Sequence, residues 1–299
     1  MIRFRGFGKR FGRLEAVREL TLSVEAGEAV ALLGPNGSGK TTTLKAAAGL
    51  LRPTSGEVRI GSPELDPAGP DGRRGLSYLP QKVAFPEALT GLEVVDFYRR
   101  MRGLDERRSA EAMRLASLNG ASGRAVGTYS GGMVQRLGLA VAVLAQSPVL
   151  LLDEPTAALD PDGLCAFYGL VERRRRSGDT LLFTSHQLGD VERLADRFAL
   201  IVGGRLAASL TQRELADRLS ERGVLRLRLD RRLPGLLESV RRVCPDALWA
   251  GDELIAPGPA ADRPRVLDVV RGAGAEIRGL CAEEGRLDLL YRELVEALR

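Results

Sequence analysis

Three short apolar runs, each followed by a turn or a polar cluster, dominate the hydrophobic pattern of the chain before residue 210. They cover residues 29–33, 150–152 and 180–185. Continuous apolar runs of this length are typical of strands that are buried on both faces of a parallel sheet. Helical periodicity recurs between the runs, so the pattern predicts an α/β fold in which strands alternate with helices.

The pattern changes character twice along this part of the chain. Residues 1–80 are rich in strand signals, whereas residues 83–129 carry helical periodicity at 92–102 and 108–118. The α/β pattern then returns and continues to residue 210, beginning with a helix from Val134. We therefore expect one α/β domain over residues 1–210, with a helical insertion at about 83–135.

Residues 211–299 form a second region, in which we find no catalytic combination of residues. An alternating segment at 224–229 is typical of a half-exposed strand. Helices are expected at 233–243, 266–271 and 287–298, with a loop at 256–259. The pattern predicts a small accessory α+β domain, and regulation, support of a dimer and stabilisation of the fold all remain open as its role.

A glycine-rich segment follows the first apolar run and precedes an alanine-rich helical stretch at 42–51. It consists of Gly34, Pro35, Asn36, Gly37, Ser38, Gly39, Lys40 and Thr41. Glycines let successive backbone N–H groups face one anion, and the helix N-terminus adds positive dipole. In this strand–loop–helix context Lys40 reaches the β- and γ-phosphates of a nucleotide and the Thr41 hydroxyl ligates Mg²⁺. A lysine at position 40 is not expected from composition alone, because lysine supplies only four of the 44 basic residues.

Polar residues stand at the ends of the other predicted strands. Asp153 suits a carboxylate that holds a metal ion, and Glu154 beside it is placed to activate a water molecule. The same pair, taken alone, could simply end a strand. Gln81 follows another short strand, and His186 is the only histidine in the chain. A lone histidine is more often structural, but His186 ends a predicted parallel strand, where ligands bind in open α/β sheets.

A small turn made of Ser130, Gly131 and Gly132 lies upstream of Asp153 and begins a predicted helix. Together with the phosphate loop and the acidic strand end, this turn resembles the ATP-binding cassette ATPases of ABC transporters, over residues 1 to about 210. The resemblance implies a P-loop NTPase fold with a RecA-like core, an antiparallel β-subdomain and a helical insertion. It also implies hydrolysis of ATP with Mg²⁺.

The resemblance implies a role for each motif residue. Glu154 would be the catalytic glutamate, assisted by Gln81 and by His186, which contacts the γ-phosphate. The implied Mg²⁺ ligands are Thr41, Gln81 and Asp153, and Asp160 matches the D-loop. The implied nucleotide-binding residues are Phe11, Val17, Gly34, Pro35, Asn36, Gly37, Ser38, Gly39, Lys40, Thr41 and Thr42. Phe11 would stack on adenine, although a core aromatic on an edge strand has the same sequence pattern.

The family resemblance further implies a homodimer and a membrane partner. Ser130, Gly131 and Gly132 would contact the ATP that is bound by the partner subunit, so that two copies sandwich two ATP molecules. No run approaches the ~18 apolar residues of a membrane span, so a separate integral membrane permease is expected. The N-terminus carries no apolar signal segment, and the three dispersed cysteines suit a reducing compartment. We expect the chain to be cytoplasmic, peripheral on the inner or plasma membrane.

The signature sequence of the family usually reads Leu-Ser-Gly-Gly-Gln. Two of the corresponding residues in this chain, at positions 129 and 133, depart from it. Tyr129 stands in place of leucine, and Met133 stands in place of glutamine, which removes an amide. These residues resemble those of exporter-type cassettes that are paired with small membrane subunits. The segments at 160–168 and 287–291 are most similar to the NosF type, which serves copper-site maturation of nitrous oxide reductase. An ATPase of a multidrug or lipid exporter is the alternative.

The net charge of +5 and the run from Arg173 to Arg176 raise the question of a nucleic-acid partner. The run ends a predicted helix, where basic side chains complement the helix dipole, and no aromatic platform accompanies it. No nucleic-acid partner is therefore expected. The competing class is a soluble ABC-family switch acting on nucleic acid or ribosomes. Such proteins usually carry two cassettes, a long coiled-coil insertion or zinc-binding cysteines, none of which this sequence contains.

Overall fold

The computed structural model describes residues 1–185, 188–285 and 296, apart from the side chains of Asn119 and Leu188. The chain divides into two compact units, Met1–Ser209 and Leu210–Arg299. His186 lies outside the described residues, and so does the expected helix at 287–298 apart from residue 296.

The first unit contains two sheets and the helices that pack on them. Its strands are β1 (Ile2–Phe11), β2 (Leu14–Val24), β3 (Ala29–Leu33), β4 (Ser55–Ile60), β5 (Leu76–Leu79), β6 (Val149–Asp153), β7 (Thr180–Thr184), β8 (Arg197–Val202) and β9 (Arg205–Thr211). Its helices are α1 (Lys40–Ala47), α2 (Pro70–Arg74), α3 (Gly91–Met101), α4 (Arg107–Leu115), α5 (Gly131–Val143), α6 (Pro161–Arg176) and α7 (Leu188–Leu194).

The six-stranded sheet of the first unit has the order β5-β6-β7-β3-β8-β9. Strand β3 pairs in parallel with β7 and β8, and β6 pairs in parallel with β5 and β7. Every residue of β3, β6 and β7 is buried, which explains the continuous apolar runs. The smaller sheet, of order β2-β1-β4, is antiparallel. This architecture confirms the predicted α/β fold with an antiparallel β-subdomain.

The C-terminal ends of the three central strands meet at one edge of the large sheet. Thr184 pairs with Leu32 on one side and with Asp153 on the other. The phosphate loop leaves β3 at this edge, and Glu154 follows β6 directly. Ligands bind at such edges in open α/β sheets, so the parallel order alone gathers the candidate site residues.

The helical insertion lies between β5 and β6 and contains α3 and α4. Thr90 caps α3, accepting from the N–H of Glu93, whose carboxylate in turn accepts from the N–H of Thr90. This capping box starts the helix at Gly91, one residue before the predicted start. Helix α4 ends at Leu115 rather than at 118, and Ser117 then turns the chain with a positive φ of 55°.

The second unit consists of a four-stranded antiparallel sheet with helices. Its elements are α8 (Gln212–Ser220), β10 (Val224–Leu229), α9 (Leu236–Arg241), β11 (Leu248–Ala250), β12 (Glu253–Pro257), α10 (Arg263–Gly272) and β13 (Ile277–Glu283). The sheet has the order β11-β12-β10-β13, the β-α-β-β-α-β arrangement of ferredoxin-like folds.

The core of the second unit lies between β10 and the two helices α9 and α10. Leu227 of β10, Val240 of α9 and Val270 of α10 are fully buried in it. The loop predicted at 256–259 was wrong in its first half. Ala256 pairs with Leu225 and is buried in this core, so the strand continues through Pro257.

Candidate active site

The phosphate loop has a backbone shape that requires glycine at two positions. Gly34 and Gly39 have φ values of 152° and 105°. A Cβ at Gly34 would lie 2.2 Å from the carbonyl oxygen of Ile201, and one at Gly39 would lie 2.6 Å from that of Ala16. Larger residues would therefore displace strands β8 and β2, or the loop itself.

The side chain of Lys40 lies along the inside of this loop. Its Nζ donates to the carbonyl oxygens of Gly34 at 2.7 Å and Pro35 at 3.1 Å. Burial lowers the pKa of Lys40, while the nearby carboxylates of Glu154 and Asp153 oppose that shift. The loop thus holds a buried cation next to two acids.

The two carboxylate oxygens of Asp153 differ in their hydrogen bonds within the described residues. Oδ1 accepts from the hydroxyls of Thr184 at 2.8 Å and Thr41 at 3.2 Å. Oδ2 is buried and has no hydrogen-bond partner among the described residues. Burial raises the pKa of Asp153, and the two hydroxyls only partly offset it. A buried, unpaired carboxylate oxygen is costly unless a cation or another donor reaches it.

Glu154 occupies a strained backbone position at the strand end. Its φ is 48°, in the left-handed region that residues other than glycine seldom adopt. Its N–H donates to Thr184 Oγ1 at 2.8 Å, and Gln81 Nε2 donates to its Oε2 at 2.8 Å. Gln81 and Glu154 are 73 positions apart in sequence and meet at this edge.

A buried cluster that no sequence motif indicates includes Thr156, two residues after Glu154. Asp190 of α7 accepts hydrogen bonds from Thr156, from Tyr168 of α6 and, at 3.0 Å, from Ser185. Burial and the bond to Asp190 raise the pKa of Tyr168 to about 12. Asp190 therefore joins the segment after Glu154 to the end of β7 and to α6. Isolated hydroxyl residues carry no motif, so only the fold identifies this cluster.

An open cleft of about 470 Å³ lies over the phosphate loop. Its lining residues are Phe11, Leu14, Ala16, Asn36, Gly37, Ser38, Gly39, Lys40, Thr41, Thr42, Gln81 and Glu154. The Phe11 ring is 46% exposed, and Lys9 Nζ lies 5.1 Å from its centroid. Val17 is fully buried and does not line the cleft. It packs instead near Gly39, behind the loop.

The Ser130 turn lies outside this cleft. Ser130 caps α5 and its Oγ accepts from the N–H of Met133 at 3.2 Å. Gly131 is exposed, and a Cβ at Gly132 would lie 2.8 Å from the carbonyl oxygen of Ala158. Asp160 caps α6, accepting from the N–H of Gly163 at 2.9 Å. The turn is thus packed against the segment that carries Asp160.

Intramolecular ion pairs occupy three of the four arginines that end α6. Arg174 pairs with Asp179 at 2.7 Å, Arg175 pairs with Asp196, and Arg176 lies 4.0 Å from Glu172. Arg174 and Arg175 are therefore paired with acidic neighbours, whereas the Arg176 side chain is 81% exposed.

Comparison with known proteins identifies the family. A family model described as ABC transporter matches residues 17–157. The uncharacterized ABC transporter ATP-binding protein YxlF of Bacillus subtilis (strain 168) is 37% identical over 243 residues, 80% of each chain. The chain belongs to the ABC transporter family.

Two further similarities concern this ABC ATPase. The daunorubicin resistance ATP-binding protein DrrA3 of Streptomyces coeruleorubidus is 31% identical, with 97% of this chain and 94% of that protein covered. The dimeric, post-hydrolysis structure of the ATP-binding cassette MJ0796 bound to ADP and Pi has a TM-score of 0.65 and 25% identity. The match covers 71% of this chain and 99% of the MJ0796 chain.

These findings confirm the P-loop NTPase fold and the family that the motifs predicted. The chain is an ATP-binding subunit of an ABC transporter and an ATPase. In the part of the ABC ATPase that the structure describes, there is no helix long and apolar enough to cross a membrane.

Proposed function

We propose that this chain works as one of two identical ATPase subunits that drive an exporter through a separate membrane permease. The cluster at the edge of the large sheet carries the proposal. There a buried lysine, a carboxylate with an unpaired oxygen and a glutamate hydrogen-bonded to Gln81 surround one phosphate loop. These are the groups needed to hold a triphosphate and direct water at it.

In the proposed site the loop N–H groups, Lys40 and Thr42 bind the phosphates, and Phe11 stacks on adenine. Glu154 accepts the proton of the attacking water. Gln81, whose Nε2 lies 2.8 Å from Glu154 Oε2, orients that water. His186 contacts the γ-phosphate in this assignment. Val17 acts from behind, by supporting the loop at Gly39.

The residues around Asp153 fit a magnesium ion. The unpaired Asp153 Oδ2, the Thr41 hydroxyl and the Gln81 amide supply oxygen donors, which Mg²⁺ prefers. When bound, the ion would neutralise charge that develops on the phosphate oxygens. Thr184 keeps Asp153 oriented toward this position through its hydrogen bond to Oδ1.

The Ser130 turn requires a second copy of the chain in this proposal. Ser130, Gly131 and Gly132 lie outside their own cleft, at the N-terminus of α5, where an anion is favoured. The related MJ0796 cassette is described as dimeric. We infer that each Ser130 faces the ATP of the partner copy, with Asp160 at the same interface, and that hydrolysis removes this bridge.

A Glu154→Gln variant tests the ATPase and the dimer together. ATP hydrolysis should fall about 1000-fold because the general base is lost, while ATP still binds. The variant should therefore accumulate as an ATP-bound dimer in gel filtration. A Glu154→Gln/Ser130→Ala double variant is the matched control and should remain monomeric. Monomer alone for Glu154→Gln at saturating ATP would contradict the sandwich.

Helix α3 offers the docking face for a permease. Phe97 and Met101, four positions apart, are exposed on one side of it, with Phe97 56% and Met101 69% accessible. The rings of Phe97, Tyr98 and Phe85 stack edge-on beside them. An apolar, aromatic surface of this kind is typical of a protein interface. We propose that the chain binds the permease here, peripheral on the cytoplasmic face of the membrane, and that the second unit is an accessory domain.

For the cargo we propose a drug or another amphipathic molecule such as a lipid. The support is the similarity to DrrA3, which extends over 97% of this chain and is described by daunorubicin resistance. The similarities described above lend no support to copper-site maturation. Drug susceptibility of a strain that lacks the chain, with wild-type or Lys40→Ala protein returned to it, tests the cargo class. Equal susceptibility of all strains to every drug tried would argue against it.

A further inference from the structure

The Tyr129 side chain lies against the first residue of helix α3. Its hydroxyl donates to the carbonyl oxygen of Ala121 at 2.7 Å. A Cβ at Gly91 would lie 2.2 Å from the Tyr129 Oη and 3.1 Å from its Cζ. Atoms at those distances overlap, so a tyrosine held at Ala121 requires a glycine at position 91. The departure of Tyr129 from the family signature is thus matched by a small residue 38 positions earlier in the sequence.

Backbone hydrogen bonds join the same two segments. Leu92 N–H donates to Ser122 O at 2.9 Å, and Gly91 N–H donates to Arg124 O at 3.3 Å. In the other direction, Val126 N–H donates to Leu89 O at 2.8 Å. The start of α3 and the segment that leads to Tyr129 therefore move together.

Ser130 follows Tyr129 directly, and the segment before it is also held by bonds from Gly127 N–H to Glu87 O at 3.0 Å and from Thr128 Oγ1 to Ala125 O at 2.7 Å. Tyr129 N–H donates to Val126 O at 2.9 Å, which ties the turn to the joined segments. On the C-terminal side, Gly132 packs against the carbonyl of Ala158. A displacement of α3 relative to that second contact would change the position and direction of the Ser130 hydroxyl.

Tyr129 therefore lies between the first residue of α3, which its ring contacts, and Ser130, which follows it in sequence. We propose that the Gly91–Tyr129 contact fixes the position of Ser130 relative to α3 and so sets how Ser130 meets the ATP of the partner copy. This inference rests on the proposed function, in which Ser130 completes the partner's site. Tyr129 is in this view a positioning residue.

A double-mutant cycle between positions 91 and 129 tests the contact in the full-length chain. Gly91→Ala should force the tyrosine away from Ala121 and shift Ser130. Tyr129→Leu removes the Oη and Cζ atoms that clash and leaves only the flexible end of Met113, whose Cε would lie 3.3 Å from the new Cβ, as a close neighbour, so Gly91→Ala should be much better tolerated in its presence. Gly120→Ala is the matched control, because a Cβ at Gly120 has no neighbour within 4 Å.

Three measurements separate positioning from simple loss of stability. For Gly91→Ala, kcat should fall about tenfold, because small misplacements of groups at a reacting centre are costly. Binding of a fluorescent ATP analogue to the monomer should stay within twofold of wild type, since the cleft is intact. In a Glu154→Gln background, the ATP-dependent dimer should weaken by about tenfold. Addition of Tyr129→Leu should reverse the effects of Gly91→Ala on kcat and on the dimer.

Two results would overturn the inference. Additive effects of the two substitutions on kcat and dimerisation would mean that the residues do not act through each other. A lowered melting temperature with wild-type kcat and dimerisation would make the contact purely structural. Failure of the proposed function looks different: Glu154→Gln alone would then not dimerise with ATP, although the two positions could still be coupled in melting temperature.

Discussion

The cleft over the phosphate loop and the surface around Ser130 differ in how completely they are built. At the cleft, Lys40 lies along the loop, and Asp153, which accepts from the lining residue Thr41, has a buried carboxylate oxygen with no hydrogen-bond partner among the described residues. At the other surface, the Ser130 hydroxyl serves as a helix cap and its neighbour Gly131 is exposed. The first region is concave and gathers several polar side chains, whereas the second offers one short turn. The difference indicates that the first is organised within one chain and that the second depends on another molecule.

The strongest test of this difference between the two regions mixes two inactive variants. Lys40→Ala should abolish phosphate binding in its own cleft, and Ser130→Ala should disable the cleft of its partner. In a heterodimer of the two, one composite site is intact. With random pairing of equal amounts, half of the dimers carry one such site, and about a quarter of wild-type ATPase activity should return.

The control for that experiment is a mixture of Lys40→Ala with a Lys40→Ala/Ser130→Ala double variant, in which no site is intact. It should stay inactive. Activity of the isolated Ser130→Ala protein equal to wild type would remove the distinction between the two regions.

The Asp190 cluster offers a second test of the cleft, because its bond with Thr156 holds the segment that follows Glu154. Asp190→Asn keeps the shape of the side chain but removes the charge that three hydroxyls share. We expect kcat to fall about tenfold through misplacement of Glu154, with ATP affinity nearly unchanged. Steady-state kinetics and ATP binding check this, with Tyr168→Phe as a milder control that removes one bond. A lower melting temperature with unchanged kcat would give the cluster a structural role only.

A pH-dependent stability difference should mark Asp153. Because burial raises its folded-state pKa, the folded chain binds more protons than the unfolded chain over the range just above the ordinary carboxyl pKa. Stability from this group is present at low pH and is lost as pH rises through the raised pKa. Asp153→Asn should therefore melt about 3 °C higher than wild type at neutral pH without ligand.

That advantage of Asp153→Asn should shrink as the pH is lowered into the carboxyl range, and it should reverse when Mg²⁺ and ATP are added. Thermal melts across pH with and without the ligands measure both. Equal melting temperatures of the two proteins at every pH would mean that Oδ2 carries no penalty. The effect on melting temperature is the smallest of the three.

The sequence predicts those site residues that lie close to one another, or to a strand end, along the chain. The phosphate loop, Asp153 and Glu154 follow apolar strands directly, so their spacing predicts both the strand ends and the acids. The residues that support them are scattered. Thr184, Tyr168 and Asp190 belong to different elements, and only the parallel pairing of β6 with β7 and the packing of α6 and α7 bring them together.

At residues 256–259 and at Val17, local sequence preferences do not predict which side chains are buried. Proline and glycine near 256–259 favour a loop, but burial of Ala256 against β10 and its helices outweighs that local preference. Val17 is close to Phe11 in sequence, and yet the two side chains have opposite environments: the first is buried and the second is open to the cleft. Which face of a bulged strand points outward depends on its registers, and β1 and β2 contain several register shifts.

The backbone of Glu154 has a consequence for how this protein could be stabilised. At a φ of 48°, glycine or asparagine would relieve local strain, on the order of 1 kcal/mol. A selection for heat resistance alone would therefore favour loss of the glutamate and, with it, loss of turnover. The position is one at which folding and catalysis select opposite residues, so thermostable variants of the chain should be sought anywhere else.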